Sequence, residues 1–197
     1  MHKNNLIIIE GPDRAGKGTL IDALRNQIKS PFVTVIHSGK PPKNTDNPEN
    51  WSYMYNNNLL STIKRIDNND FIILDRSYIG EYVYGPIYRD IKYQLEDFKE
   101  IDKWINGRLA DQYNIMLITI VDNPSALSYR SDGLSNSEDI SDISKEVEQF
   151  KELHYYSEIQ NKLLINWRDI SEPFDIHLKK QAKYILETLQ KENENHG

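Results

Sequence analysis

The chain has 197 residues and no cysteine. It therefore builds neither a disulfide framework nor a zinc–thiolate site. No apolar run reaches the roughly eighteen residues of a membrane-spanning helix, and no charged segment followed by an apolar stretch opens the sequence, so neither a membrane span nor a signal peptide is expected. Basic residues are the minority: 24 Lys and Arg against 30 Asp and Glu leave a formal net charge of −6. That speaks against a polyanionic partner such as DNA or RNA, although a local cluster of cations can still hold a small anion. No internal repeat and no Pro/Gly/Ser-rich linker divides the chain. One domain over residues 1–197 is expected, long enough to bury a core. Glycine is scarce too, with nine residues, yet Gly11, Gly16 and Gly18 crowd into one short stretch.

That stretch reads Leu6-Ile7-Ile8-Ile9-Glu10-Gly11-Pro12-Asp13-Arg14-Ala15-Gly16-Lys17-Gly18-Thr19. An apolar run stops at Gly11, Gly16-Lys17 closes the loop, and a segment of helical character follows. This is the strand–loop–helix context of a phosphate-binding P-loop. Gly11 and Gly16 let the backbone curl so that successive N–H groups face phosphate oxygens. The following helix offers its positive end to the same anion, and Lys17 adds a mobile cation for the outer phosphates. The Ser or Thr that usually follows the lysine and helps hold magnesium is replaced by Gly18. Thr19 carries the hydroxyl one position later, suited either to magnesium through water or to an inner phosphate oxygen.

Apolar runs predict strands at Leu6–Glu10, Val33–His37, Phe71–Leu74, Met116–Val121 and, weakly, Leu163–Asn166. They are continuous rather than alternating, as in strands buried on both faces of a parallel sheet. Helical stretches are predicted at Lys17–Lys29, Glu49–Ile66, Leu95–Tyr113, Ser144–Lys162 and His177–Lys191, with Pro48 and Pro124 as helix-start signals and a frayed tail over Glu192–Gly197. The alternation reads as a doubly wound α/β domain, which binds ligands at the carboxyl ends of its strands.

The third strand ends in Asp75-Arg76-Ser77. At a strand's carboxyl end beside a P-loop, Asp75 is placed to orient magnesium waters or take a proton, and Arg76 to grip a phosphate with its planar fork. The alternative is an Asp N-cap paired with Arg at a helix start.

Glu10-Gly11-Pro12-Asp13-Arg14-Ala15-Gly16-Lys17 resembles the P-loop of thymidylate kinases, which reads Glu-Gly-x-Asp-Arg-Ala-Gly-Lys in one subgroup. Asp75-Arg76 matches their Asp-Arg pair, and the run from Gly80 to Arg89 resembles viral and phage thymidylate-kinase-like deoxynucleotide kinases. The resemblance implies a P-loop NTPase-type three-layer α/β/α fold with a five-stranded parallel sheet and a short lid. It implies ATP-dependent phosphorylation of a (deoxy)nucleoside monophosphate, dTMP foremost, with Mg2+ accompanying ATP and often a homodimer. ATP use and the missing leader place such an enzyme in the cytoplasm, that of the host cell if phage-encoded. Gly11, Asp13, Arg14, Ala15, Gly16, Lys17, Gly18 and Thr19 would face ATP, and Asp13 the acceptor as well. Three departures bear on base and sugar choice. Gly18 replaces serine; an arginine after the second strand is absent, leaving Lys40 to take over its phosphate contact; and Ser77-Tyr78 follows Asp-Arg.

The polar segment Ser131–Lys145 is the expected lid. It holds Lys145 but no arginine, so Arg14 in the loop is the expected catalytic cation, with Arg130 as a second candidate on the donor phosphates or adenine. Trp51, Tyr53, Tyr55, Tyr78, Tyr82, Tyr84 and Tyr88 supply rings able to stack on a base; Tyr82 and Tyr84 are the favoured pair, ahead of Trp51. Glu81 fits a sugar or base contact, or a helix cap; Arg89, a surface ion pair or substrate; His37, a structural role. Rival functions are a deoxynucleoside kinase with Glu10 as base, a broad-specificity monophosphate kinase and a non-catalytic nucleotide-binding protein. The missing Asn-Lys-x-Asp signature speaks against a GTPase-like module.

Overall fold

The computed structural model of the protein describes residues 3–39, 48–66, 70–130 and 135–195, with 48–53 and 195 by backbone alone. Five strands, β1 (Asn4–Glu10), β2 (Val33–His37), β3 (Phe71–Asp75), β4 (Tyr113–Val121) and β5 (Asn161–Asn166), form one parallel sheet in the order β2-β3-β1-β4-β5. The central strands are buried as their unbroken apolar runs require: Leu6, Ile7, Ile8 and Ile9 of β1 are fully buried, and every residue of β4 is buried. The edge strands β2 and β5 are only half-buried, which is why β5 is faint in the sequence. The chain winds to one side of β1 through β2 and β3, then to the other through β4 and β5. The carboxyl end of β1 is therefore the switch point at which such sheets hold ligands.

Among the described residues, seven α-helices flank the sheet: α1 (Lys17–Gln27), α2 (Pro48–Ile63), α3 (Tyr78–Tyr88), α4 (Leu95–Leu109), α5 (Pro124–Tyr129), α6 (Ile140–Tyr156) and α7 (Phe174–Asn195). Right-handed crossovers put α1 on one face and α2, α3 and α6 on the other. The packing agrees, with α1 against α7 and α3 against both α2 and α6.

The structure corrects several sequence boundaries. The segment Leu95–Tyr113 is helical only to Leu109, because Tyr113 is buried as the first residue of β4, its hydroxyl donating to the Ile63 and Ile66 carbonyls. The helix predicted at Ser144–Lys162 runs from Ile140 to Tyr156, started by Asp139, whose carboxylate accepts from the Ser141 N–H at 2.6 Å. Asn161 and Lys162 belong to β5. The tail is helical to Asn195 rather than frayed, and Asn193 accepts from the backbone N–H of Lys3 at 3.0 Å. Helix α3 has no counterpart among the predicted elements because Gly80, Gly85 and Pro86 interrupt its propensity. Burial of Tyr78, Ile79, Val83 and Tyr84 outweighs that cost.

Gly11 has φ +143°, and a Cβ there would stand 2.1 Å from the Ile120 carbonyl oxygen. Gly18 lies in the first turn of α1, and a Cβ there would meet nothing within 4 Å. Gly11→Ala should cost about 3 kcal/mol or more, whereas Gly18→Ala should be neutral or stabilise by about 0.5–1 kcal/mol. Urea midpoints of the two variants check this ordering.

Candidate active site

The loop from Gly11 to Gly16 leaves β1 and enters α1. Gly16 is the N-cap of α1 at φ +89°, and Arg14 takes φ +65°, a left-handed conformation uncommon for a side-chain-bearing residue. The buried Lys17 ammonium curls back over the loop, donating to the Gly11 and Pro12 carbonyls at 2.7 Å each. Burial, followed by the nearby Arg76 charge, lowers its pKa to about 8. Gly18 and Thr19 are exposed on the first turn of α1. Ala15 is fully buried, and its carbonyl accepts the Trp167 indole N–H at 2.6 Å.

The corner after β3 is built against this loop. The Arg76 backbone N–H donates to Ile9 of β1 at 3.0 Å, at φ +68°. Glu10, with no exposed surface, accepts at Oε1 from the Ser77 N–H at 2.6 Å and the Ser77 hydroxyl at 2.8 Å. Burial pushes the Glu10 carboxyl up, against those same hydrogen bonds. Asp75 is not a helix cap: Ser77 holds the N-cap position of α3, and Asp75 Oδ2 meets His37 Nδ1 at 2.8 Å while its Oδ1 is buried without a partner among the described residues. Arg76 forms its ion pair with Asp13 of the loop. The buried Tyr84 hydroxyl has no hydrogen-bond partner among the described residues, and burial, then the Asp13 charge, raises its pKa well above the ordinary value.

A third wall comes from the segment before α6. The Arg14 guanidinium donates to the Ser137 carbonyl at 3.0 Å, and its Nε and Nη1 are buried without partners among the described residues. Arg130 pairs with Asp122 at 2.7 Å and reaches the Arg14 carbonyl at 3.4 Å. The expected lid spans Ser131–Lys145. Residues 131–134 lie outside the described residues, 135–139 are irregular, and Ile140–Lys145 are the opening turns of α6, because Ile143 is buried in the core. Lys145 pairs with Asp142 at 3.0 Å on that helix.

Other expected residues have partners of their own or lie outside the described residues. Glu81 does not cap a helix; it accepts from Arg89 at 2.5 Å and from the Tyr93 hydroxyl at 2.8 Å. Tyr82 packs on Tyr93, with ring centres 4.5 Å apart, and edge-on against Phe98 of α4. Lys40 and the side chains of Trp51 and Tyr53 lie outside the described residues.

Two residues at the site escaped the sequence reading. Trp167 follows β5 in a 3-10 turn (Trp167–Asp169) that no local motif marks. Glu146 of α6 is buried, accepts from the Tyr88 hydroxyl, and lies close enough to Asp13, Lys17 and Arg14 to sense their charges. Its signal was an acid within the buried stripe Ile143, Val147 and Phe150.

No protein-family model matches the sequence, and no curated protein matches it. Solved structures match the fold. A Bacillus subtilis protein, YorR, solved in complex with phosphorylated GDP, is 19% identical with a TM-score of 0.66, covering 98% of this chain and 99% of its own. Thymidylate kinase from Candida albicans is 18% identical with a TM-score of 0.66, over 98% of this chain and 94% of its own. Polyphosphate kinase 2 from Arthrobacter aurescens is 9% identical with a TM-score of 0.54, over 84% of this chain and 61% of its own. The fold is that of the P-loop kinases. Among the described residues no helix is long and apolar enough to cross a membrane.

In this fold Glu146 is an acid facing an acid-containing loop. Burial first, with the Asp13 charge adding to it, raises its pKa from 4.5 to about 7. A raised folded-state pKa favours the folded state below pH 4.5, and the advantage is lost as pH rises through 7. Glu146→Gln removes this titration. The stability of the wild type relative to Glu146→Gln should therefore fall between about pH 4.5 and pH 7, as read from urea midpoints of both proteins across that range.

Proposed function

We propose that the protein transfers the γ-phosphoryl group of ATP to a (deoxy)nucleoside monophosphate, dTMP foremost, giving the diphosphate. The observation that carries this reading is the pairing of two cations at the carboxyl ends of β1 and β3. Lys17 and Arg76 are close enough for the arginine charge to depress the lysine pKa, and Asp13 stands between loop and corner as partner to Arg76. Two neighbouring cations fit two anionic reactants brought end to end.

In this reading the loop amides and Lys17 hold the donor phosphates. Arg76 holds the acceptor phosphate in line, and Arg14 meets the charge that develops between them. Arg14 already reaches from the loop to the segment before α6 through the Ser137 carbonyl, so closure of residues 135–139 over the site would move it and exclude water together. Arg130 lies beside the loop as a second cation on the donor side. Magnesium accompanying ATP would supply charge neutralisation of the donor phosphates. The described residues hold no group of three His, Asp or Glu side chains to bind it alone. Asp75, with one buried oxygen unpartnered among the described residues, and Thr19, exposed at the start of α1, fit a role through water.

The fold neighbours support the reaction class: one bears the name thymidylate kinase and another was solved with a phosphorylated guanine nucleotide. A deoxynucleoside kinase needs an accessible carboxylate base, and Glu10 has no exposed surface and is already bound to Ser77. A phosphate acceptor needs no such base. Broad acceptance of deoxynucleoside monophosphates is the reading to separate from dTMP preference.

A coupled ADP-release screen across ribo- and deoxynucleoside monophosphates, with thymidine alongside, should show turnover with dTMP and none with thymidine. Lys17→Ala should retain less than about a tenth of it, a barrier increase above about 1.4 kcal/mol. Arg76→Ala should raise the monophosphate KM and lower kcat together while leaving ATP binding nearly unchanged. Equal weakening of both substrates would remove Arg76 from the acceptor side.

Arg14→Ala should lower kcat at least about a hundredfold with small changes in both KM values, since a cation aimed at developing charge acts on the transition state. Steady-state kinetics at saturating ATP test this. A loss below about tenfold would leave Arg14 as a loop contact worth on the order of one hydrogen bond.

A further inference from the structure

Every P-loop must keep its amides pointed inward, and something outside the loop must take the carbonyls that then point outward. Here the loop carbonyl just before the N-cap Gly16, that of Ala15, is met by the Trp167 indole N–H at 2.6 Å, across 152 positions of sequence. The contact is buried: Ala15 has no exposed surface and Trp167 is 6% exposed. The indole also lies against Gly16, where a Cβ would stand 3.4 Å from its Nε1. The ring cannot drift: Phe174 packs edge-on at 4.9 Å between ring centres and His177 at 5.8 Å. His177 is itself held by Glu172 at 3.0 Å and Gln181 at 3.0 Å.

Within one planar trans peptide the C=O and the following N–H point in opposite directions. Pinning the Ala15 carbonyl to the indole therefore fixes the Gly16 N–H on the side away from Trp167, where the phosphates are expected. Gly16, at φ +89°, is the most conformationally free residue of that peptide and has no side chain to hold it.

We infer that Trp167 is a positioning residue for phosphate binding: its indole N–H sets the orientation of the Ala15–Gly16 peptide, and it acts on the phosphates of any nucleotide rather than on the base. The inference rests on the loop being the donor-phosphate site, but not on the identity of the acceptor. A purely structural tryptophan would couple affinity to stability. A positioning N–H separates them.

Two variants make the separation. Trp167→Phe keeps a ring and loses the donor. Trp167→Gln loses the ring and keeps an N–H at similar reach. Thermal unfolding ranks their stability, and isothermal titration with ADP, GDP and inorganic pyrophosphate ranks their affinity. Trp167→Phe should be the more stable of the two yet bind all three probes about tenfold more weakly than wild type, by a common factor, the effect of one buried hydrogen bond. Trp167→Gln should be less stable and bind more tightly than Trp167→Phe. Phe174→Leu, which loosens the ring and leaves the donor, should weaken binding of all three probes by a common factor smaller than that of Trp167→Phe. Affinity that follows stability across the variants, or a loss that depends on the base, overturns the inference alone. A wild type that binds none of the three probes overturns both the inference and the nucleotide reading.

Discussion

A buried carboxylate holds the corner between β1 and β3 of this protein together. Glu10 ends β1 inside the sheet with no exposed surface, and its oxygen takes both the backbone N–H and the hydroxyl of Ser77. An acid in such a place is costly to desolvate, and only well-made hydrogen bonds offset the cost. The two bonds tie the start of the phosphate loop to the exit of β3. Arg76, with its left-handed backbone and its own bond to Ile9, is thereby set beside Lys17. Removing the tie would free two cations to move apart.

The charges of the site are set in opposed pairs. Lys17 is buried and loses basicity to burial and to Arg76, while its N–H groups occupy the loop's own carbonyls. Asp13 answers Arg76, Asp122 answers Arg130, and Glu146 sits among Arg14, Lys17 and Asp13 with its proton affinity raised. Acids and cations balance one another while the loop holds itself closed by hydrogen bonds. Phosphates entering this set would exchange internal partners for ligand oxygens, so binding is an exchange of charge partners rather than the filling of a neutral cleft.

The loop's shape is imposed from three sides. Gly11 passes beneath the Ile120 carbonyl, where no side chain fits. Trp167 takes the Ala15 carbonyl from the far edge of the sheet, and Arg14 reaches the segment before α6. Each support comes from a different part of the chain, so the loop is correct only when the whole sheet has assembled.

Much of this was legible in the chain. Unbroken apolar runs announced β1, β3 and β4, because strands buried on both faces leave no alternation to miss. The glycine spacing and Lys17 announced the phosphate loop, because backbone curvature and charge are local requirements. Less was legible where neighbours decide. Helix α3 carries two glycines and a proline and forms because its apolar side chains have a core to enter. The alternative reading of Asp75 and of Glu81 as helix caps gave way to pairing with His37 and with Arg89, since the choice among hydrogen-bond acceptors depends on what packs alongside. Glu146 and Trp167 lie 129 and 150 positions after Lys17, as their residue numbers show, and no local pattern joins them to it. The sequence by itself determined the parallel sheet, the phosphate loop and the cations at its mouth, because periodicity, glycine freedom and charge act within a few residues. Which carboxylates, carbonyls and rings those cations and amides meet was decided by the tertiary structure alone, because a buried hydrogen bond forms only between groups that the packed core brings within reach.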